Sequence, residues 1–163
     1  MAKNKEEKTN VMRVLEQKKI AYTAHTYPHE EGMAVDGVTV AKSMGFDPAI
    51  VFKTLVARGA SKQYYVFDVP VAENLDLKKA AKAVGEKSVE MIPQKELLPL
   101  TGYVHGGCSP VGMKKLFPTV FHSSAENLAA MIVSAGKIGY QVELSPRDLA
   151  ALVRAKFADI IVE

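Results

Sequence analysis

A lysine set inside an apolar, β-rich run is the first residue here that suggests chemistry. Lys53 follows Ala49-Ile50-Val51-Phe52 and precedes Thr54-Leu55-Val56. On an alternating strand such a lysine either faces solvent or lines a pocket as a fixed positive charge. A second region is Gly106-Gly107-Cys108-Ser109-Pro110-Val111-Gly112. A glycine-rich loop lets a ligand approach the backbone and can aim amide N–H groups at an anion or oxyanion, but the same composition also makes a plain turn. It is not a nucleotide phosphate loop. That motif needs lysine directly after the second glycine and then Ser or Thr, whereas Met113 precedes Lys114 and Lys115 follows. A nucleophilic Cys108 would need a base and a lowered pKa. His105 is near it only in sequence, so Cys108 reads as a small packed thiol. His25 and His29 have the i, i+4 spacing of a helical metal pair, but Tyr27-Pro28 breaks any helix between them. His105 and His122 lack partners at ligand spacing, so no metal is expected. Ser134-Ala135-Gly136-Lys137 is a further turn of small residues. No serine–histidine–carboxylate pattern, nucleophile elbow or carboxylate pair stands out.

The elements that must position these residues are short and irregularly mixed. Apolar spacing predicts helices over about 5–18, 38–44, 77–84, 94–98 and 127–130. Another follows Ser145-Pro146-Arg147-Asp148, a capping box with proline at its first helical position. Asp47-Pro48 starts a brief helical turn. Asp76 caps the helix over 77–84 and Gly85 closes it. Strands are expected over 21–27, 52–58, 64–71, 89–92, around 120–121, and over 131–134, 140–144 and 158–162. Gly59-Ala60-Ser61 joins two of them as a hairpin. Residues 29–37, 102–112 and 136–139 read as loops or turns. The pattern lacks regular strand–helix alternation, which implies an α+β fold with a mixed, curved sheet.

The chain has 163 residues, 48% hydrophobic and 24% charged, and its composition excludes a disordered, collagen-like or disulfide-framed protein. We expect one domain over 1–163. No apolar run is long enough to span a membrane, and the charged N-terminus MAKNKEEKTN has no apolar run behind it. With a single cysteine, the expected location is the cytoplasm. Twenty-one basic residues against eighteen acidic ones give +3. That is too mild for a dedicated nucleic-acid binder, yet compatible with a protein that touches one end of a nucleic acid.

Six stretches in order carry a resemblance that none carries alone. They are His25-Thr26-Tyr27; Val51-Phe52-Lys53-Thr54-Leu55; Pro70-Val71 running into Leu75-Asp76-Leu77-Lys78-Lys79-Ala80-Ala81-Lys82; Thr101-Gly102-Tyr103 running into Gly106 to Gly112; Val133-Ser134-Ala135-Gly136-Lys137; and Ala155-Lys156-Phe157-Ala158-Asp159-Ile160. From about residue 10 to 160 the chain resembles the YbaK/EbsC family of aminoacyl-tRNA deacylases, above all its freestanding members. It is also similar to the editing domain inserted in bacterial prolyl-tRNA synthetases.

The resemblance implies an open, barrel-like mixed sheet of about six or seven strands surrounded by helices. It implies hydrolase- or lyase-type cleavage of the ester in mischarged Cys-tRNA(Pro), with Cys-tRNA(Cys) as a second substrate. Cysteine and proline differ too little in size for one pocket to separate them, so a second sieve is needed. Lys53 takes the place of the family's essential lysine, which orients the ester or the ribose–phosphate end. Gly106 and Gly107 take the place of the catalytic loop whose amides hold the carbonyl oxygen. Tyr27, Thr54, Ser134 and Gly136 match substrate-binding positions of the pocket wall. Lys78, Lys79, Lys82, Lys114 and Lys115 are candidates for tRNA phosphates. The expected partners are the aminoacyl-tRNA(Pro) 3′ end and prolyl-tRNA synthetase in a transient complex, with no cofactor. No general base is evident, which favours attack by the substrate's own thiol. The alternatives are water attack on alanyl- or another small aminoacyl-tRNA(Pro), and a non-catalytic binder of tRNA or the synthetase. Some relatives carry Asp where this chain has Gln141, residues 32–38 depart from the family at the expected pocket rim, and Cys108 sits at a variable position.

Overall fold

The computed structural model describes residues 8–30 and 33–163. In chain order the elements are α1 (Asn10–Gln17), β1 (Tyr22–Thr26), α2 (Gly37–Ser43), β2 (Phe52–Gly59), β3 (Tyr64–Pro70), α3 (Leu77–Val84) and β4 (Val89–Met91). There follow α4 (Leu97–Thr101), β5 (Thr119–His122), β6 (Met131–Lys137), β7 (Tyr140–Leu144), α5 (Pro146–Val153) and β8 (Ala155–Ala158). Short 3-10 turns occupy Pro48–Ile50, Gln94–Glu96 and Ser123–Asn127.

The helices start where the capping chemistry places them. Thr9, Asp36, Asp76 and Ser145 each accept a backbone N–H in the first turn of α1, α2, α3 and α5. Asp76 serves two amides, Lys78 N–H at 2.9 Å and Lys79 N–H at 3.0 Å. Asp76→Ala therefore costs about 1 kcal/mol of stability, read as a lower midpoint of urea unfolding with an unchanged slope.

The strands form two sheets. One is antiparallel in the order β1-β7-β6; the other is mixed in the order β4-β2-β3-β5-β8. β2 pairs antiparallel with β3 and β4, whereas β3, β5 and β8 run parallel. The bridge Val51–Ile132 connects the sheets. The architecture is the expected α+β class with an open, curved, mixed sheet.

Alternation along β3 divides the core. Tyr65, Phe67 and Val69 pack with Ala80 and Ala81 of α3, while Val66 enters the larger core with Phe52, Phe121 and Val133. Asp68 follows the parity of Val66 and so points into that larger core. Its register partners are Thr54 on β2 and Phe121 on β5.

Several boundaries differ from expectation for local reasons. Helix α1 begins at Asn10 because Thr9 caps it; residues 5–7 of the expected helix lie outside the described residues. The helix expected over 127–130 is replaced by the 3-10 turn Ser123–Asn127, whose exit at Leu128 is already extended, with ψ of 146°. Strand β6 continues to Lys137 through an irregularity after Ser134, so the expected turn over 136–139 narrows. The last strand is 155–158, not 158–162. Arg154 adopts a left-handed φ of 58°, ending α5 and turning the chain at once into β8. No helix among the described residues is long and apolar enough to cross a membrane.

Candidate active site

One edge of β2 is shared between two neighbours. β4 pairs with residues 57–59, and the Val51–Ile132 bridge takes the strand's entry. Between them Lys53, Thr54 and Leu55 line a cleft of about 380 Å³. Consecutive strand residues point to opposite faces; Lys53 and Thr54 both reach this cleft because it follows the strand edge. The opposite walls are Tyr27 beyond β1, residues 34–37 leading into α2, Gly106 and Cys108 of the glycine loop, and Ser134 and Gln141 of β6 and β7.

Lys53 is half-buried, and desolvation draws its pKa below the ordinary lysine value. The carboxylates of Asp36 and Glu73 oppose that shift. The result is a partly dehydrated cation at the cleft, whose charge is favoured by two acids in its neighbourhood. Asp36 is a site residue that sequence reasoning missed. Its signal was the helix cap: it accepts Thr39 N–H at 3.2 Å and stands at the rim beside Lys53.

Tyr27 is buried, and its N–H donates to Gly139 O at 3.0 Å, which ties the end of β1 to the β6–β7 turn. Burial raises its phenol pKa. Ser134 lines the cleft and accepts Gly136 N–H at 3.0 Å. Gly136 itself does not line it. With φ of +93°, it shapes β6 against Tyr103, whose Cε1 would lie 2.9 Å from an added Cβ.

The two loop glycines separate in the same way. Gly106 lines the cleft with φ of +90°. Gly107 is buried beneath it, and its N–H is spent on Val104 O at 2.9 Å. Of the pair, the Gly106 amide is the one placed to meet a ligand. His105, read from sequence as a turn residue, is exposed at the cleft.

Cys108 also lines the cleft but is buried, and burial pushes its thiol up to about 12. It stays protonated, as the packing reading required. Gln141 is buried with its Oε1 unpaired.

Sequence reading also missed Asp68, since one acid in an apolar strand has no motif. It is fully buried, its Oδ1 accepts the Thr54 hydroxyl at 2.5 Å, and its Oδ2 has no partner. Burial lifts its carboxyl to about 7 against the opposing Thr54 hydrogen bond.

His25 and His29 do not form a metal pair. His25 Nε2 lies 2.8 Å from Glu143 Oε1, and His29 Nδ1 3.0 Å from Tyr27 O. Among the described residues no group of three or more His, Cys, Asp or Glu could hold a metal ion.

The candidate phosphate-contacting lysines also differ among themselves. Lys78, Lys82, Lys114 and Lys115 are exposed. Lys114 reaches Pro99 O at 3.3 Å, and Lys115 lies 5.8 Å from the Phe117 ring centroid. Lys79 instead bonds Asp159 at 3.1 Å, Glu163 at 3.2 Å and Ile161 O at 3.0 Å. Those bonds clasp α3 to the segment after β8.

Residues 29–152 match the aminoacyl-tRNA editing domain family. A protein of Enterococcus faecalis, named EbsC as a candidate Cys-tRNA(Pro)/Cys-tRNA(Cys) deacylase, is 45% identical over 161 residues, covering 98% of each chain. Two solved structures share the fold. A candidate trans-editing enzyme for prolyl-tRNA synthetase has a TM-score of 0.79 at 24% identity, over 94% of this chain and 95% of that one. A hypothetical protein has a TM-score of 0.82 at 20% identity, over 93% of this chain and 99% of that one.

Proposed function

Because the chain belongs to the aminoacyl-tRNA editing domain family, we propose that it is a freestanding deacylase of mischarged Cys-tRNA(Pro), acting also on Cys-tRNA(Cys). The observation that carries this reading is the cleft on the β2 edge. It brings the half-buried Lys53 cation and the Gly106 loop to one small cavity, and the E. faecalis relative carries the same substrate pair in its name. A cleft of about 380 Å³ suits an aminoacyl group and leaves the tRNA body outside.

In this reading Lys53 fixes the ribose–phosphate end and orients the ester. The Gly106 amide faces the carbonyl oxygen as it gains negative charge, a role in which one donor contributes about 10²–10³ in rate. Tyr27, Thr54 and Ser134 form the wall around the amino-acid side chain, and Gly107 and Gly136 hold the two loops that carry it. The substrate's own thiol attacks its ester carbonyl, the tRNA hydroxyl leaves, and a thiolactone is released. Holding sulfur against carbonyl supplies up to roughly 7–11 kcal/mol through effective molarity. Lys78, Lys82, Lys114 and Lys115 meet tRNA phosphates weakly and with salt dependence. Prolyl-tRNA synthetase, which makes the mischarged substrate, is the partner that raises local concentration.

Release of labelled amino acid from Cys-, Ala- and Ser-tRNA(Pro) tests the reading. Cysteine should leave at least about 10²-fold faster than serine, which matches it in shape but lacks the nucleophilic sulfur. Equal loss of alanine would replace thiol attack by water attack. No release from any substrate, even with the synthetase present, would leave a binding role.

A further inference from the structure

The cleft contains a hydroxyl whose direction is already decided. Thr54 has one hydroxyl proton, and Asp68 Oδ1 accepts it at 2.5 Å from behind the cleft wall. While Asp68 is ionised, Thr54 therefore presents only lone pairs toward the cleft and accepts a proton there; once Asp68 holds the proton, the bond reverses and Thr54 can donate. Asp68 is sealed from solvent, and its Oδ2 has no partner. A carboxyl costs heavily at such a position, and an apolar residue would satisfy the packing among Val66, Phe121 and their neighbours. Resting on the deacylase reading above, we infer that Asp68 and Thr54 form a two-residue proton relay that serves as the base for the substrate thiol.

The proton balance closes without any further reactant. The thiol proton passes to Thr54 Oγ1 as the Thr54 proton passes to Asp68 Oδ1. The sulfur then bonds to the ester carbonyl carbon, and the carbon–oxygen bond to the ribose breaks. The departing ribose oxygen takes a proton from Thr54, which is refilled from Asp68, so the carboxylate is restored. Asp68 touches no substrate atom and acts only by holding and exchanging the Thr54 proton, as a positioning residue.

The surroundings leave Asp68 as the group that titrates here. From the glycine loop the Cys108 thiol faces it and is lifted to about 12, as is Tyr103 beyond. From β2 and β5 come Thr54 and Phe121, and from β6 and β7 the neutral Ser134 and Gln141. Asp36 and Glu73 act on Lys53, whereas Asp68 owes its shift to burial against the Thr54 hydrogen bond. Burial lifts Asp68 to about 7, below a free thiol at about 8.5 and close enough to exchange a proton with it.

The test compares wild type, Asp68→Asn, Thr54→Ser and Thr54→Val on Cys-tRNA(Pro) between pH 5.5 and 8.5. The ratio of wild-type to Asp68→Asn rates cancels the substrate's own titrations. It should rise through about pH 7 to about 10²-fold. Thr54→Ser, which keeps the hydroxyl, should retain the wild-type rise with pH whatever its absolute rate, and Thr54→Val should lose that rise as Asp68→Asn does. A ratio flat with pH, or an unimpaired Thr54→Val, overturns the relay.

Urea unfolding at each pH provides a readout independent of activity. The folded carboxyl holds its proton up to about pH 7, while the unfolded one releases it near 4. Wild-type stability should therefore fall as pH rises between these values, and this slope should be absent in Asp68→Asn. If wild type also lacks the slope, Asp68 does not titrate as inferred and the relay fails whatever the activity. If wild type releases no cysteine, the deacylase reading falls and the relay with it, while the stability slope still reports Asp68 alone.

Discussion

Lys53→Ala should lower deacylation of Cys-tRNA(Pro) by about 10³-fold while leaving the fold intact. The side chain stands half-buried at the cleft edge of β2, where burial disfavours its charge and the nearby Asp36 and Glu73 favour it. Removing it therefore deletes a preorganised cation from a partly dehydrated site, where such a charge acts far more strongly than in water. Losing about 4 kcal/mol of transition-state stabilisation corresponds to that thousandfold change. Lys53→Arg should recover little, because the broad planar guanidinium does not reproduce a compact ammonium in so small a cleft. Single-turnover rates with equal unfolding midpoints would establish the effect. A variant that keeps more than a tenth of the wild-type rate would remove Lys53 from the mechanism.

Gly106→Ala should cost about 10²-fold in kcat/KM. The backbone here has φ of +90°, where an L side chain is strained, and the added Cβ would lie 2.7 Å from Ala34 Cβ and 3.3 Å from its Cα. The loop and the 34–37 rim must then part or the peptide must rotate. Either movement re-aims the Gly106 amide, and catalytic donors tolerate little displacement. Gly107→Ala differs in kind. Its Cβ would press on the Lys137–Ile138 backbone at 3.1 Å from the Ile138 nitrogen, so its damage should appear as lost stability as well as lost rate. Paired measurements of unfolding midpoint and kcat/KM separate the two glycines.

The sequence held the parts of this site whose signal is local. Alternation showed the β2–β3 hairpin, and capping chemistry showed α3 and α5. The family resemblance pointed to Lys53 and the glycine loop, which the fold brings to one cleft. What could not be read from the sequence depends on pairings between distant residues. Asp68 is an ordinary acid in Phe67-Asp68-Val69 until the hairpin register sets it opposite Thr54 and strand parity turns it inward. Gly107 reads the same as Gly106 until the turn consumes one amide. Lys79 resembles Lys78 and Lys82 until residues 159–163 return to meet it. The last strand was misplaced for a related reason. Arg154 is not a residue type that announces a left-handed helix stop.

The parallel pairing of β5 with β8 has a consequence for biosynthesis. β5 lies between β3 and β8, and its outer hydrogen bonds come from residues 155–158. Beyond them Asp76 N–H bonds Ile160 O at 2.8 Å, and Val162 N–H bonds Asn74 O at 2.9 Å. β1 likewise waits for residues 140–144. Nearly every sheet contact outside the β2–β3 and β6–β7 hairpins thus joins segments far apart in the chain, a topology that slows folding. A nascent chain halted before residue 155 holds β5 as an open, apolar edge. Ribosome-bound intermediates of that length should bind chaperones, and native protease resistance should arise only after residues 155–162 clear the exit tunnel.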